Sequence, residues 1–259
     1  MKTITRNGIT FCEFENFSRE GVVHGAFQRH GGCSPIPWNS LNLSTTCGDS
    51  RENVIENRRR VLNVLGVHTE KFFDVWQVHS SKVVITDETR DINQPYIQAD
   101  AITTEKKCIS LLMRFADCVP IFLYDVNLKV IGIVHAGWKG TINKIISKTI
   151  EKMIKTYGTS PKNLLAGIGP SICVKHYPVG ESVIKQLIAE YPDNWGNFVN
   201  VKENKIHLDL RKINKMLLTQ SGVSNIEESR ICTICDVGNW FSHRGENGQT
   251  GRFACVISQ

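Results

Sequence analysis

At 259 residues the chain can bury a large core, and 41% hydrophobic with 22% charged residues is the balance of a folded globular protein rather than a disordered one. The net charge of +6 is scattered apart from Arg58, Arg59 and Arg60, which favours small anions and argues against nucleic acid, where a basic stripe with interleaved aromatics is expected. No run approaches the roughly 18 apolar residues of a membrane span and the N-terminus has no apolar signal core, so no membrane partner and a cytoplasmic location are expected, with most of the nine cysteines as reduced thiols.

No repeat, low-complexity tract or Pro/Ser-rich linker marks a boundary, so residues 1–259 are expected to form a single domain. The first segment with a distinct character is "FQRHGGCSPIPWNSLNLS", a loop in which Arg29 and His30 stand beside two glycines as a candidate anion site. A helix follows over "TTCGDSRENVIENRRRVLNVLG". Asp49 is its expected cap, Val54, Ile55, Val61, Leu62 and Leu65 are its apolar face, Arg58 lies near that face, and Gly66 ends it. A second helix is expected from near Thr141 to Gly158, with others over 181–191 and 208–220.

The β-type runs are "KVVITD", "CISLLMR", "PIFLYD", "KVIGIVH" and "RFACVIS". The middle three are consecutive with no helix between them, which predicts antiparallel pairing in a mixed sheet covered by helices: an α+β fold. "AGIGPSI" reads as a strand-to-turn junction where the backbone passes close to something, and the "GENGQTG" turn predicts a hairpin into the last strand.

Three short segments end an apolar run with a side chain that can bind metal: "WQVHSS" with His79, "FADCVP" with Cys118 and "GIVHAGW" with His135. Two imidazoles and a thiolate suit zinc with a fourth position open, and strand ends are where a rigid scaffold presents side chains to a cleft. The same residues permit a metal-free alternative, a Cys118–His135 nucleophile pair with Asp117 or Asp100 orienting the base, because both chemistries need a deprotonated sulfur beside an imidazole. Cys232 and Cys235 in "ICTICD" have zinc or redox spacing, but no second ligand pair is evident and incidental thiols are expected there.

Taken in order, "QRHGGCSPIPWNSLNLS", "ENRRR", "QVHSSKV", "ADAITT", "ADCVPIFLYD", "VHAGWKGT", "AGIGPSI", "CTICD" and "FSHRG…TGR" resemble the motifs of the YfiH-type family. That family is also called the multicopper polyphenol oxidase (laccase) family or peptidoglycan editing factor. The resemblance implies a single-domain α+β layered sandwich and a zinc site made by His79, Cys118 and His135, with copper as the other metal to consider. It also implies purine nucleoside phosphorylase activity on adenosine, inosine and methylthioadenosine, together with adenosine deaminase activity. The partners are then small molecules, a purine nucleoside and phosphate, bound by a monomer or small homo-oligomer. Alternatives are a copper phenol oxidase and a hydrolase of peptidoglycan precursors using Cys118 and His135.

Deamination calls for a metal that brings the pKa of water towards about 7 and an acid to shuttle the proton, for which Asp117 is nearest in sequence. Phosphorolysis calls for a planar fork on phosphate, so Arg29 is placed among the catalytic groups, with Arg58, Asn42 and Arg244 at the substrate. The chain departs from the family's usual Phe-Phe-Ser-Tyr-Arg-Arg ending: "WFSHRG" puts His243 for the tyrosine and Gly245 for the second arginine.

Overall fold

The computed structural model describes residues 1–91 and 93–259. Its strands make two six-stranded sheets and a small third one. The first sheet runs in the order Lys2–Arg6, Ile9–Glu13, Val23–Phe27, Phe253–Ser258, Ser110–Phe115 and Phe72–Phe73. The second runs Asn225–Glu228, Leu164–Ile168, Val119–Asp125, Ile131–Ala136, Ala101–Thr104 and Val83–Ile85. Both are mixed: Phe72–Phe73 lies parallel to Ser110–Phe115, and Leu164–Ile168 lies antiparallel to Val119–Asp125 but parallel to Asn225–Glu228.

Side-chain alternation explains the layering. Along Val119–Asp125 every residue is buried, so the strand reads as one apolar run. Val119, Ile121 and Leu123 face one cluster with Ile146, Ile150 and Met153 of the Ile145–Tyr157 helix and Leu217 of the Leu210–Gln220 helix. Phe122 and Tyr124 face the opposite way and meet Met113, Phe115 and Cys255 of the first sheet. That sheet in turn directs Leu112, Ala254 and Val256 at Val61 and Leu62 of the Arg51–Val64 helix. The result is α+β, four layers deep, helix on sheet on sheet on helices. Each fully buried Leu, Ile or Phe contributes about 1.5–3 kcal/mol of transfer free energy.

The expected helices are present, with local differences. Ser50, not Asp49, caps the Arg51–Val64 helix by accepting from the Asn53 N–H; the Asp49 carboxylate instead accepts from the Ser50 N–H and the Asn53 side chain. The helix expected from Thr141 is two, Trp138–Ile142 and Ile145–Tyr157, broken at Lys144, whose φ is +56°. Gly158, at φ +76°, ends the second through its N–H on the Ile154 carbonyl, as a left-handed cap does.

The three consecutive strands are not all neighbours. Val119–Asp125 and Ile131–Ala136 pair antiparallel, but Ser110–Phe115 belongs to the other sheet, between Phe253–Ser258 and Phe72–Phe73. The chain therefore crosses between sheets at Ala116–Cys118, and Asp117 makes the turn at φ +84°. The hairpin expected before the last strand is likewise absent, because Phe253–Ser258 is already flanked by Val23–Phe27 and Ser110–Phe115. Gly167 and Gly169 are small because protein packs there: a Cβ would sit 2.5 Å from the Phe14 ring and 3.1 Å from Pro120. Among the described residues no helix is long and apolar enough to cross a membrane.

Candidate metal centre and cavity

The crossing between sheets sets the geometry of the site. Cys118 sits at the crossover itself, His135 near the end of the neighbouring antiparallel strand, paired with Pro120, and His79 on the chain just before Val83–Ile85. Their ligand atoms all lie within 4.8 Å of one another. His135 is buried and His79 exposed, so the cluster opens outward on one side.

Asp100 organises this cluster. It accepts from His135 Nδ1 at 2.8 Å, from the His79 N–H at 3.0 Å, from the Ser80 N–H at 2.6 Å and from Ser80 Oγ at 2.8 Å. With the proton held on Nδ1, the Nε2 lone pair of His135 is free to ligate, the arrangement by which a carboxylate orients a metal-binding histidine. Burial alone would raise the Asp100 carboxyl, but the His135 and Ser80 bonds outweigh it and hold its pKa below the usual value. Desolvation would likewise raise the Cys118 thiol, yet the His135 and His79 imidazoles bring it down to about 6. Burial would lower the His135 pKa, but the adjacent Cys118 and Asp100 lift it to about 9. Without metal Cys118 and His135 therefore stand as a thiolate–imidazolium pair, and an ion bound there would displace the Nε2 proton, leaving a thiolate beside two imidazoles as the donor set.

Gly137 follows from the same crowding. A Cβ there would fall 2.7 Å from His79 Nδ1 and 3.0 Å from Cys118 Sγ, so the turn after His135 can carry no side chain. Trp138 lines the adjoining cavity and also packs against the helical cluster.

The three side chains line a cavity of roughly 770 Å³, within the range of small-molecule sites. Among the described residues, six arginines (Arg51, Arg58, Arg90, Arg114, Arg244 and Arg252) line it against one carboxylate, Asp117, so the cavity attracts anions. Arg90 and Arg114 are compensated by buried Asp74, at 3.6 Å and 2.8 Å, and Arg90 stacks over Tyr96. Arg58 stands 4.4 Å over the Phe72 ring with no acidic partner within salt-bridge distance among the described residues. Burial pushes its pKa down and Asp74 opposes that; the guanidinium stays charged and underhydrated. Arg244 donates to the Pro178 carbonyl and lies over Tyr177, whose phenol burial holds protonated.

Three expected site residues lie elsewhere or are otherwise engaged. Arg29 is absent from the cavity wall: its guanidinium donates to the Asn39 and Val237 carbonyls and to Glu246 at 2.9 Å, and it stacks on Phe241, so it fastens two loops. Asn42 is fully buried and holds its own loop, donating to the Ser44 carbonyl and Asp49 and accepting from the Ser44 and Arg252 N–H groups. Asp117 reaches the cavity, where its Oδ1 accepts from Thr233 Oγ1 and Ser242 Oγ and its Oδ2 from the Arg244 N–H, so the carboxylate also braces the 242–244 loop. The amides expected to cradle an anion near Arg29 are used internally, Gly32 on Ser40 Oγ and Cys33 on Asn57 Oδ1.

The aromatic and basic wall made by Trp76, Tyr96, Arg90 and Arg114 has no motif in the sequence that announces it. One missed feature did carry a signal. Cys232 and Cys235 do not stand alone: Cys173 and His176 join them, with all four ligand atoms within 4.8 Å of one another. Cys-x-x-His and Cys-x-x-Cys spacings were there to be matched.

Residues 23–259 match the family model described as multi-copper polyphenol oxidoreductase laccase. The chain belongs to this family. It is 36% identical to a purine nucleoside phosphorylase of Deinococcus radiodurans, covering 91% of this chain and 88% of that one. It is 32% identical to adenosine deaminase RL5 of an unknown prokaryotic organism, covering 83% and 85%. The crystal structure of the hypothetical protein YfiH of Bacillus licheniformis is similar with a TM-score of 0.90 at 30% identity, covering 98% of this chain and 97% of that one. This member of the family is an enzyme.

Proposed function

We propose that the chain is a zinc-dependent purine nucleoside phosphorylase that also deaminates adenosine, with both reactions in the 770 Å³ cavity. The observation that carries this is the convergence of His79, Cys118 and His135 in the wall of an arginine-rich, aromatic-lined cavity, with Asp100 fixing the His135 tautomer. The names of the relatives support the purine. The donor set fits zinc: one low-pKa thiolate and two imidazoles at a mutual spacing one ion can bridge, with the outward side open. Copper would accept the same ligands. Zinc held by His79, Cys118 and His135 would supply Lewis-acid chemistry, lowering the pKa of a water in the open position.

The remaining chemistry belongs to the side chains. In phosphorolysis a phosphate oxygen bonds to the sugar C1′ as the C1′–N9 bond breaks, and the base leaves with the electron pair and takes a proton. Arg58 holds the phosphate, because it is a half-buried cavity guanidinium with neither a salt bridge nor a hydrogen bond among the described residues and its planar fork grips two oxygens at once. Tyr177 and Arg244 line the cavity stacked on one another, the protonated phenol as a hydrogen-bond donor and the guanidinium as a second charge. His243 also lines the cavity and burial lowers its pKa, so it meets the base as a neutral imidazole. Asp100 keeps His135 in register throughout.

The family's name favours a second reading, copper-dependent phenol oxidation, and Trp76 and Tyr96 would face a phenol ring. Among the described residues the two candidate metal clusters contain three histidines between them, His79, His135 and His176, fewer than a multicopper relay uses. A product assay decides: adenosine and inosine, with and without phosphate, on wild type and Cys118→Ala. Phosphate-dependent base release and inosine formation, both lost in the variant, are expected. No product from wild type, or full activity in the variant, overturns the proposal. Phenol-dependent oxygen uptake with bound copper would establish the second reading, and cleavage of muropeptides by metal-free protein would point to a Cys118–His135 hydrolase.

A further inference from the structure

We propose that Cys173, His176, Cys232 and Cys235 form a second, structural Zn(II) site, separate from the cavity cluster and closed to substrate. The ligands come in two pairs from adjacent loops. Cys173 and His176 follow Leu164–Ile168, and Cys232 and Cys235 follow Asn225–Glu228; these two strands are parallel neighbours, so both loops leave the same sheet end. The loops are held together by a bridge between Ser171 and Cys232 and by Arg211, which donates to the carbonyls of both Ser171 and Ile231.

The spacing of the four ligand atoms fits a tetrahedral centre. Zinc bonds of about 2.3 Å to sulfur and about 2.0–2.1 Å to nitrogen put S and N vertices about 3.5 Å apart. From His176 Nδ1 the three sulfurs stand at 3.4 Å for Cys173, 3.7 Å for Cys232 and 3.5 Å for Cys235. Hydrogen bonding alone does not account for this cluster. A neutral imidazole offers Nδ1 either one lone pair or one N–H, and three thiols around it cannot all be served. One dication satisfies all four donors. The Cys173 N–H donates to Cys232 Sγ at 3.3 Å, the kind of outer contact that steadies a ligating thiolate.

Four protein ligands fill a tetrahedral site, so no position remains for water or substrate, and the role is mechanical. What it holds is one wall of the cavity. Tyr177 directly follows His176, Arg244 donates to the carbonyl of the next residue, Pro178, and Thr233, between the two cysteines, donates to Asp117 beside Cys118.

The test uses the full chain with Cys118→Ala, which removes the cavity thiolate, purified under reducing conditions with zinc and then exchanged to cobalt. The variant should keep one zinc per chain, and its cobalt form should show the intense thiolate charge-transfer and tetrahedral d–d bands of a three-sulfur site. Adding Cys235→Ser should weaken that zinc by about tenfold or more and change the band pattern. Should the double variant fail to fold, zinc X-ray absorption of Cys118→Ala alone still counts three sulfurs and one nitrogen. Absence of zinc from Cys118→Ala, a coordination sphere without three sulfurs, or a Cys232–Cys235 disulfide in the reduced preparation would overturn the proposal.

Discussion

Asp100→Asn is the sharpest probe of the cavity cluster. The carboxylate faces five donors: His79 N–H and His135 Nδ1 on Oδ1, and Val78 N–H, Ser80 N–H and Ser80 Oγ on Oδ2. An asparagine keeps one acceptor and turns an NH2 toward the other set. If the NH2 takes the Oδ2 place, the Ser80 hydroxyl can rotate to accept, but two backbone N–H groups lose their partner, at about 1–3 kcal/mol each where buried. If it takes the Oδ1 place, His135 must move its proton to Nε2, the nitrogen needed by the metal. A loss of about 3 kcal/mol corresponds to a fall in Tm of roughly 6–12 °C for a chain of this size. Loss of such an orienting carboxylate weakens metal binding by about 10–100-fold. Scanning fluorimetry with chelator measures the first and competition with a zinc indicator the second. A variant whose metal-free Tm stays within about 1 °C of wild type, with zinc affinity unchanged, would refute the role given to Asp100.

Gly137→Ala should lower metal affinity by about tenfold or more with the circular dichroism spectrum unchanged, since its Cβ lands on His79 and Cys118; unchanged zinc content would contradict the crowding argument. Arg58→Ala and Arg29→Ala should separate cleanly. The first raises KM for phosphate about tenfold or more through loss of a charge-assisted contact, whereas the second lowers Tm with KM unchanged because it breaks the Glu246 pair and the loop carbonyl contacts; the reverse pattern would return Arg29 to the site. His24 gives the pH dependence. It is buried, accepts the Phe14 N–H at Nε2 and donates from Nδ1 to the Val22 carbonyl, and burial lowers its pKa below the ordinary 6.5. A depressed base binds its proton more readily in the unfolded chain, so its contribution to stability is complete above about pH 6.5 and is lost as pH falls below it. Urea midpoints should therefore drop between about pH 7.5 and about pH 5.5, less steeply in His24→Gln; equal slopes would show that another group governs acid stability.

The two halves of the cavity site differ in how far a linear pattern exposes them. His79, Cys118 and His135 each end an apolar run, and a strand end is a place where a side chain leaves the core in a fixed direction. Their types and positions were therefore readable, as was the α+β class from strands without intervening helices. Arg58 was readable for a similar reason, as a charge close to the apolar side of an amphipathic helix. Arg29 and Asn42 looked equally promising in a glycine-rich loop. What separates them from Arg58 is only whether another part of the chain has already taken their hydrogen bonds, and Glu246 lies 217 residues from Arg29.

Helix and strand periodicity and ligand type are local properties, so the main helices and strands and the chemical identity of the donors are legible in the linear chain, whereas the break at Lys144 is not. Tertiary structure alone decided which strands share a sheet, since Ser110–Phe115 and Val119–Asp125 are adjacent in the chain yet pair in different sheets. It also decided which carboxylate serves His135, because Asp117 beside Cys118 spends its oxygens on Thr233, Ser242 and Arg244 while Asp100 faces the imidazole. The meeting of Cys173 and His176 with Cys232 and Cys235 has the same cause. Each pair lies within one turn of chain, but their convergence rests on two parallel strands becoming neighbours, a long-range event that no local pattern encodes.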